Sequence, residues 1–172
     1  MITSTDRLYL RELHVDDGIH FFNINNDPEC IKYTGDAAFE SLEASKLFLE
    51  SYEKQYQDFK MGRWAVCLND TDEFLGWCGL KFHPNENVVD VGYRFYKKHW
   101  NKGFATEATK ASLAYGFDQL NLDRIVAHVH VDNHASNRVA IKSGLRFIRD
   151  FLYNGTPAKY YEIKKIEYLS HK

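Results

Sequence analysis

The chain is short of the residues that would place it outside the cell. It has three cysteines in 172 residues, Cys30, Cys67 and Cys78, with no Cys-x-x-Cys pair and one odd thiol. That excludes a disulfide framework and fits a reducing compartment, so the cytoplasm is the expected location. Three prolines and no Gly/Ser-rich stretch leave no linker, repeat or low-complexity segment, and residues 1–172 read as a single domain. An excess of basic charge is also missing. Twenty-two Lys and Arg stand against 24 Asp and Glu, a net charge of -2, which gives no field for holding a nucleic acid by counterion release. No uncharged apolar run approaches the ~18 residues of a membrane span, and the opening MITSTDRLYLRE is too polar for a targeting segment. Neither a nucleic acid nor a membrane is an expected partner.

What is present is a globular composition, 44% apolar and 15% aromatic. A chain of this length can bury about 70% of its unfolded surface. Leu8 and Leu10 alternate with polar neighbours in Arg7 to Glu12, the signature of a half-buried strand. A short helix is expected from Val15 to Asn25 and an irregular stretch from Asn26 to Glu40. Phe48, Tyr52, Tyr56 and Phe59 then recur at helical spacing within a helix from Ser41 to Phe59. Arg63 to Leu68, Phe74 to Phe82 and Val88 to Tyr96 follow as an antiparallel meander, separated by turn-forming clusters. In its last strand Gly92 suggests a bulge or the close approach of another backbone. A helix is expected from Phe104 to about Leu120, a strand over Arg124 to Val131, and a helix over 134–143 between an Asn133 cap and Gly144. Strands from Leu145 to Leu152 and Tyr160 to Tyr168 complete the chain. The class is α+β, a mixed and mostly antiparallel sheet flanked by helices.

Chemistry concentrates in two segments. Trp100-Asn101-Lys102-Gly103-Phe104-Ala105-Thr106-Glu107-Ala108 joins a strand to a long helix through small residues. The first helical amides lack internal acceptors and sit at the positive end of the helix dipole, so a phosphate can dock there. No Gly-Lys-Ser/Thr follows, so this is not a P-loop. In the second segment, Asp132 to Leu145, Asn133, Ser136, Asn137 and Ala140 fall on one helical side, which is either a solvated face or one wall of a slot for an extended polar ligand.

Together with RLYLREL near the start and DVGYRF at Asp90 to Phe95, these two segments resemble the GNAT superfamily of acetyl-CoA-dependent N-acetyltransferases, in particular its RimJ/RimL-like branch. The superfamily's Gln/Arg-x-x-Gly-x-Gly/Ala is matched at Gly103 and Ala105, with Trp100 at the first position. The resemblance implies a GNAT-like fold and acetyl-CoA as cosubstrate. It implies that the strand at Tyr93, Arg94, Phe95 and Tyr96 pairs its backbone with the pantetheine arm. The amides of Asn101, Lys102, Gly103, Phe104, Ala105 and Thr106 would receive the pyrophosphate, Asn133 and Asn137 would bond pantetheine, and Lys142 would stand near the outer phosphates.

An amine acceptor is mostly protonated at neutral pH and needs a base. Asp90, beside the expected thioester and at a position where the branch often carries Glu, is the candidate, acting through water. Ser136 resembles the branch's proposed general acid, with Tyr160 or Tyr161 as substitutes. Cys67 and Cys78 fall inside apolar strands, so direct transfer in a ternary complex is expected rather than an acetyl-cysteine. His128 and His130 share a strand face without a third ligand at metal spacing, so no metal is expected. Phe21, Phe22, Tyr33 and Trp77 are read as core although they could line an acceptor pocket. The acceptor is a protein N-terminal amine or a small amine, and the chain a monomer or homodimer. The competing reading is a non-catalytic acyl-CoA-binding regulatory module.

Overall fold

The computed structural model describes residues 1–170. The chain opens with β1 (Thr3–Ser4) and β2 (Leu8–Glu12), where Leu8 and Leu10 are fully buried and Tyr9 and Arg11 are not. A 3-10 turn at Val15–Asp17 leads into α1 (Gly18–Asn26). The stretch expected to be irregular contains one helical turn, α2 (Pro28–Ile31). Asp27 caps it by accepting from the Glu29 amide at 2.9 Å, and the fixed φ of Pro28 suits the first helical position. Helix α3 (Leu42–Phe59) starts where the Ser41 hydroxyl accepts from the Ala44 amide at 3.1 Å.

The meander of β3 (Arg63–Leu68), β4 (Phe74–His83) and β5 (Val88–Phe95) is antiparallel, as its turn chemistry predicts. Helix α4 (Phe104–Asp118) then crosses to β6 (Arg124–His130), which lies parallel to β5. After α5 (His134–Lys142) the chain ends in β7 (Arg146–Tyr153), β8 (Thr156–Lys164) and α6 (Lys165–Ser170). The largest departures from expectation are at the two ends of the last strand. The last strand begins early because Asn154 and Gly155, both at positive φ, close a two-residue hairpin. It also stops at Lys164 instead of continuing to Tyr168. Its ladder on β6 runs out at Arg124↔Lys164, the Lys165 amide turns to the Asp123 carbonyl at 2.8 Å, and the chain coils into α6.

The eight described strands form one sheet in the order β1-β2-β3-β4-β5-β6-β8-β7, with β5–β6 its only parallel pair. Helix α4 packs on one face, where Val89, Val91 and Phe95 join Phe104, Ala108, Leu113 and Phe117 in the main core. Full burial of a side chain such as Phe117 stabilises by roughly 1.5–3 kcal/mol. Helices α1 and α3 cover the opposite face, over Ala65, Cys67 and Phe74. Asp90, Gly92 and Arg94 alternate onto that second face. No helix among the described residues is long and apolar enough to cross a membrane.

Candidate active site

The sheet opens between β5 and β6, and the position of the opening follows from the strand register. Strands β5 and β6 pair at Asp90↔Val126, and no pairing follows, although β5 runs on to Phe95 and β6 to His130. The Tyr96 amide donates to Leu75 of β4, so by alternation the main-chain groups of Tyr93 and Phe95 face the opening. Part of that edge is already engaged, since the Phe95 carbonyl accepts from the Trp100 indole at 2.9 Å. The opening belongs to a cleft of about 720 Å³ that reaches both faces of the sheet.

On the α4 face the cleft is lined by Tyr93, Asn133, Ser136 and Ala140, while the loop that opens α4, Asn101 to Thr106, lies outside its lining. Gly103 caps α4 at φ 83 and contributes no side chain, and the first main-chain bond into the helix is from the Glu107 amide to the Gly103 carbonyl at 3.1 Å. The amides of Phe104, Ala105 and Thr106 therefore emerge without a protein acceptor, which suits an anion. Arg7 holds this loop from below: its guanidinium donates to the Lys102 carbonyl at 3.1 Å and to Glu107 at 2.7 Å, and it lies over the Phe104 ring. Across the opening, the Tyr93 hydroxyl donates to Ser136 Oγ at 2.9 Å. Burial raises the Tyr93 pKa, so this pair keeps its proton at neutral pH.

The α1/α3 face is built from charged and aromatic side chains. Asp90, 8% exposed, receives both oxygens' hydrogen bonds from Arg63, at 2.8 and 3.0 Å, and His83 Nε2 lies 3.1 Å from its Oδ1. Burial opposes the charged carboxylate, but Arg63 and His83 outweigh it and hold the pKa below the ordinary range. Both ring nitrogens of His128 are buried without a hydrogen-bond partner, and its ring packs against Phe151, Tyr153 and Tyr160. Burial pushes the His128 pKa down more than Asp90 raises it, so the imidazole is neutral at pH 7. Farther out, Phe21, Phe39, Phe48, Tyr52 and Trp77 line the same cleft.

Residues 7–146 match the acetyltransferase (GNAT) domain family. The chain belongs to the GNAT acetyltransferases. It is 35% identical to the uncharacterized N-acetyltransferase YoaA of Bacillus subtilis (strain 168), over 91% of each chain. A GNAT-family acetyltransferase structure from Bacillus anthracis superimposes with a TM-score of 0.83 at 25% identity, covering 95% of this chain and 98% of that one. The spermidine N-acetyltransferase of Vibrio cholerae, solved with CoA and spermine, gives 0.80 at 25% identity over 96% and 99%. GNAT enzymes use acetyl-CoA, and two features of this acetyltransferase fit it: the unpaired β5 edge at Tyr93 suits an amide-bearing arm, and the free amides at the start of α4 suit a pyrophosphate.

Of the expected residues, Asp90, Tyr93, Arg94, Asn133 and Ser136 line the cleft; Phe95 and the loop from Asn101 to Thr106 lie outside its lining, and several of the others have other work. Ala140 lines the cleft too, but Asn137 does not. Asn137 is buried, its amide donates to the carbonyls of His130 and Asn133 at 3.1 and 2.8 Å, and its oxygen accepts from Tyr161 at 2.6 Å. Its polar atoms bond the β6–α5 corner. Asn133 uses its side-chain oxygen to cap α5, accepting from the Ser136 amide at 3.1 Å. The Arg94 side chain points to the α1 face, bonding Asn25 and, at 2.6 Å, Asp36. Tyr96 lies beyond the end of β5, with its amide committed to β4 and its hydroxyl 3.1 Å from His20 Nδ1. Lys142 is exposed at the end of α5 and off the cleft lining.

Gly92 carries no bulge. The β4–β5 ladder passes through it in register, and a Cβ there would meet the Arg63 guanidinium at 2.8 Å, so the glycine makes room for the Arg63–Asp90 pair. Burial pushes the Cys78 and Cys30 thiols up to about 11 and raises Cys67 too, so none is a ready nucleophile. Sequence reasoning missed Arg63 and His83 and set His128 aside. The strand alternation that puts Asp90 on the second face was available, but pairing it with Arg63 and His128 needed the register of four strands.

Proposed function

We propose that this enzyme moves an acetyl group from acetyl-CoA to a primary amine by direct attack in a ternary complex. The observation that carries the reading is the opening between β5 and β6, where an unpaired strand edge meets a charged, aromatic pocket on the other face of the sheet. Acetyl-CoA bound along that edge supplies an activated acetyl thioester. The amides from Asn101 to Thr106 and the α4 dipole hold its phosphates, and the main-chain groups of Tyr93 and Phe95 hold its pantetheine arm. The RimJ/RimL-like motifs favour a protein N-terminal amine and the spermidine-acetylating relative favours a small one; both are primary amines.

The acceptor ammonium enters from the α1/α3 face. Asp90, kept ionised by Arg63, attracts it but is a weak base for the same reason. His128, neutral and without a hydrogen-bond partner, takes one proton and leaves a nucleophilic amine. The nitrogen bonds to the acetyl carbon as the carbon–sulfur bond breaks. The nitrogen's second proton goes to the departing thiolate by way of the Ser136 hydroxyl, which gives its own proton to sulfur and takes one in return, so coenzyme A leaves as the thiol and the Tyr93–Ser136 hydrogen bond is restored.

Calorimetry with coenzyme A, together with thiol release from acetyl-CoA against primary amines and peptides, tests this. Binding and amine-dependent release are expected. Absence of heat, or of release with every amine, sinks the reading.

A further inference from the structure

The acceptor end of the cleft narrows the amine it takes, an inference that rests on the acetyl-transfer reading above. Two carboxylates line it, and each is already matched by a buried guanidinium: Asp36 by Arg94 at 2.6 Å and Asp90 by Arg63 at 2.8 Å. Lys81, also on the lining, is a third fixed cation, with no ion pair to it among the described residues. A polyamine brings further ammonium groups besides the one that reacts, and each needs an uncommitted carboxylate nearby. This lining opposes them with positive charge.

Trp77 already has two cations over its ring. The guanidinium carbons of Arg94 and Arg63 already lie 5.2 and 5.9 Å from its ring centroid. Beside these groups stands an open cluster of rings. Phe21, Phe39 and Phe48 stand with ring centroids 5.4 to 5.8 Å apart, and Phe48 lines the cleft while 41% exposed. A cluster of rings left open toward a cavity is completed by another ring in offset or edge contact.

We infer that the acceptor is a monoamine carrying an aromatic group, either a small arylalkylamine or a peptide begun by an aromatic residue, and that polyamines are poor acceptors. The test is calorimetry on the protein saturated with coenzyme A, titrated with 2-phenylethylamine, a Phe-initiated peptide amide, and spermidine. One of the aromatic amines is expected to bind about tenfold tighter than spermidine, and the better of the two identifies the source. Phe48→Ala, at a half-exposed position, should weaken the aromatic amine about tenfold. Lys81→Glu should strengthen spermidine by about the same factor without strengthening 2-phenylethylamine. Spermidine binding as tightly as the better aromatic amine, or neither aromatic amine binding, overturns the inference. Thiol release in the same mixtures reads the underlying activity on its own: an amine that binds in the expected order but releases no thiol counts against acetyl transfer and not against the binding order.

Discussion

The two faces of the sheet offer a ligand different materials. The cradle on the α4 face offers main-chain groups, the free amides after Gly103 and the β5 edge at Tyr93, and needs side chains chiefly to stay small. The pocket on the α1/α3 face offers side chains, an ion pair at Asp90, an unpartnered imidazole at His128 and a set of aromatic rings. Main-chain groups are the same in every sequence, so the cradle tolerates change wherever backbone shape is kept. The pocket depends on particular side chains meeting across four strands. Mutations should therefore affect the two faces in separable ways.

The largest effect is expected at Arg63. Arg63→Ala leaves Asp90 buried without its cation, and removing one member of a buried pair costs about 3–5 kcal/mol. Chemical denaturation reads this as a lower unfolding midpoint at pH 7. The sign with pH is set by Asp90, whose carboxyl is depressed in the folded state. The pair's stabilisation is present above the unfolded carboxyl pKa near ~3.9 and is lost as the pH falls through the lower folded value. Wild type and variant should converge in acid, and a constant difference down to low pH breaks the assignment.

His128→Gln comes next and should act on turnover. Loss of a general base lowers kcat/KM by roughly 10²–10⁴, with coenzyme A affinity unchanged. Because burial depresses the His128 pKa, wild-type kcat/KM should fall only as the pH drops below the ordinary histidine range, and the variant should lose that limb. An unaltered acid limb in the variant would return the role to Asp90 and a water.

Gly103→Val tests the other face. A β-branched residue at φ 83 is strained by about 1–2 kcal/mol, and relief of that strain would move the amides that face the phosphates. Coenzyme A affinity should drop about tenfold or more, while amine KM stays within about twofold. The smallest effect is expected at Lys142, where an exposed lysine is worth at most about 1 kcal/mol. Lys142→Ala should leave coenzyme A binding within about threefold, and a larger loss would show that the lysine reaches the phosphates.

The cradle was readable in the chain because its parts are contiguous. Trp100 to Ala108 and Asp132 to Leu145 each carry a cap, a turn and a helix start within a few residues, and such local signals do not wait for tertiary contacts. Even there, helical spacing puts Asn137 beside Ser136 without revealing that its amide bonds Tyr161 and the carbonyls of the β6–α5 corner. The pocket was not readable. Arg63, His83, Asp90 and His128 come from β3, β4, β5 and β6, and Gly92 suggested a bulge until the guanidinium of Arg63 was found filling the space above it.

By itself the sequence determined the order and type of most elements, the mixed sheet and the anion-ready start of α4, because periodicity, caps and glycines act over a few residues. Only the tertiary structure decided which charges are paired, which imidazole is left without a partner and which aromatic rings face a cavity. Those outcomes depend on strand register, where a shift of one residue sends every side chain to the opposite face of the sheet.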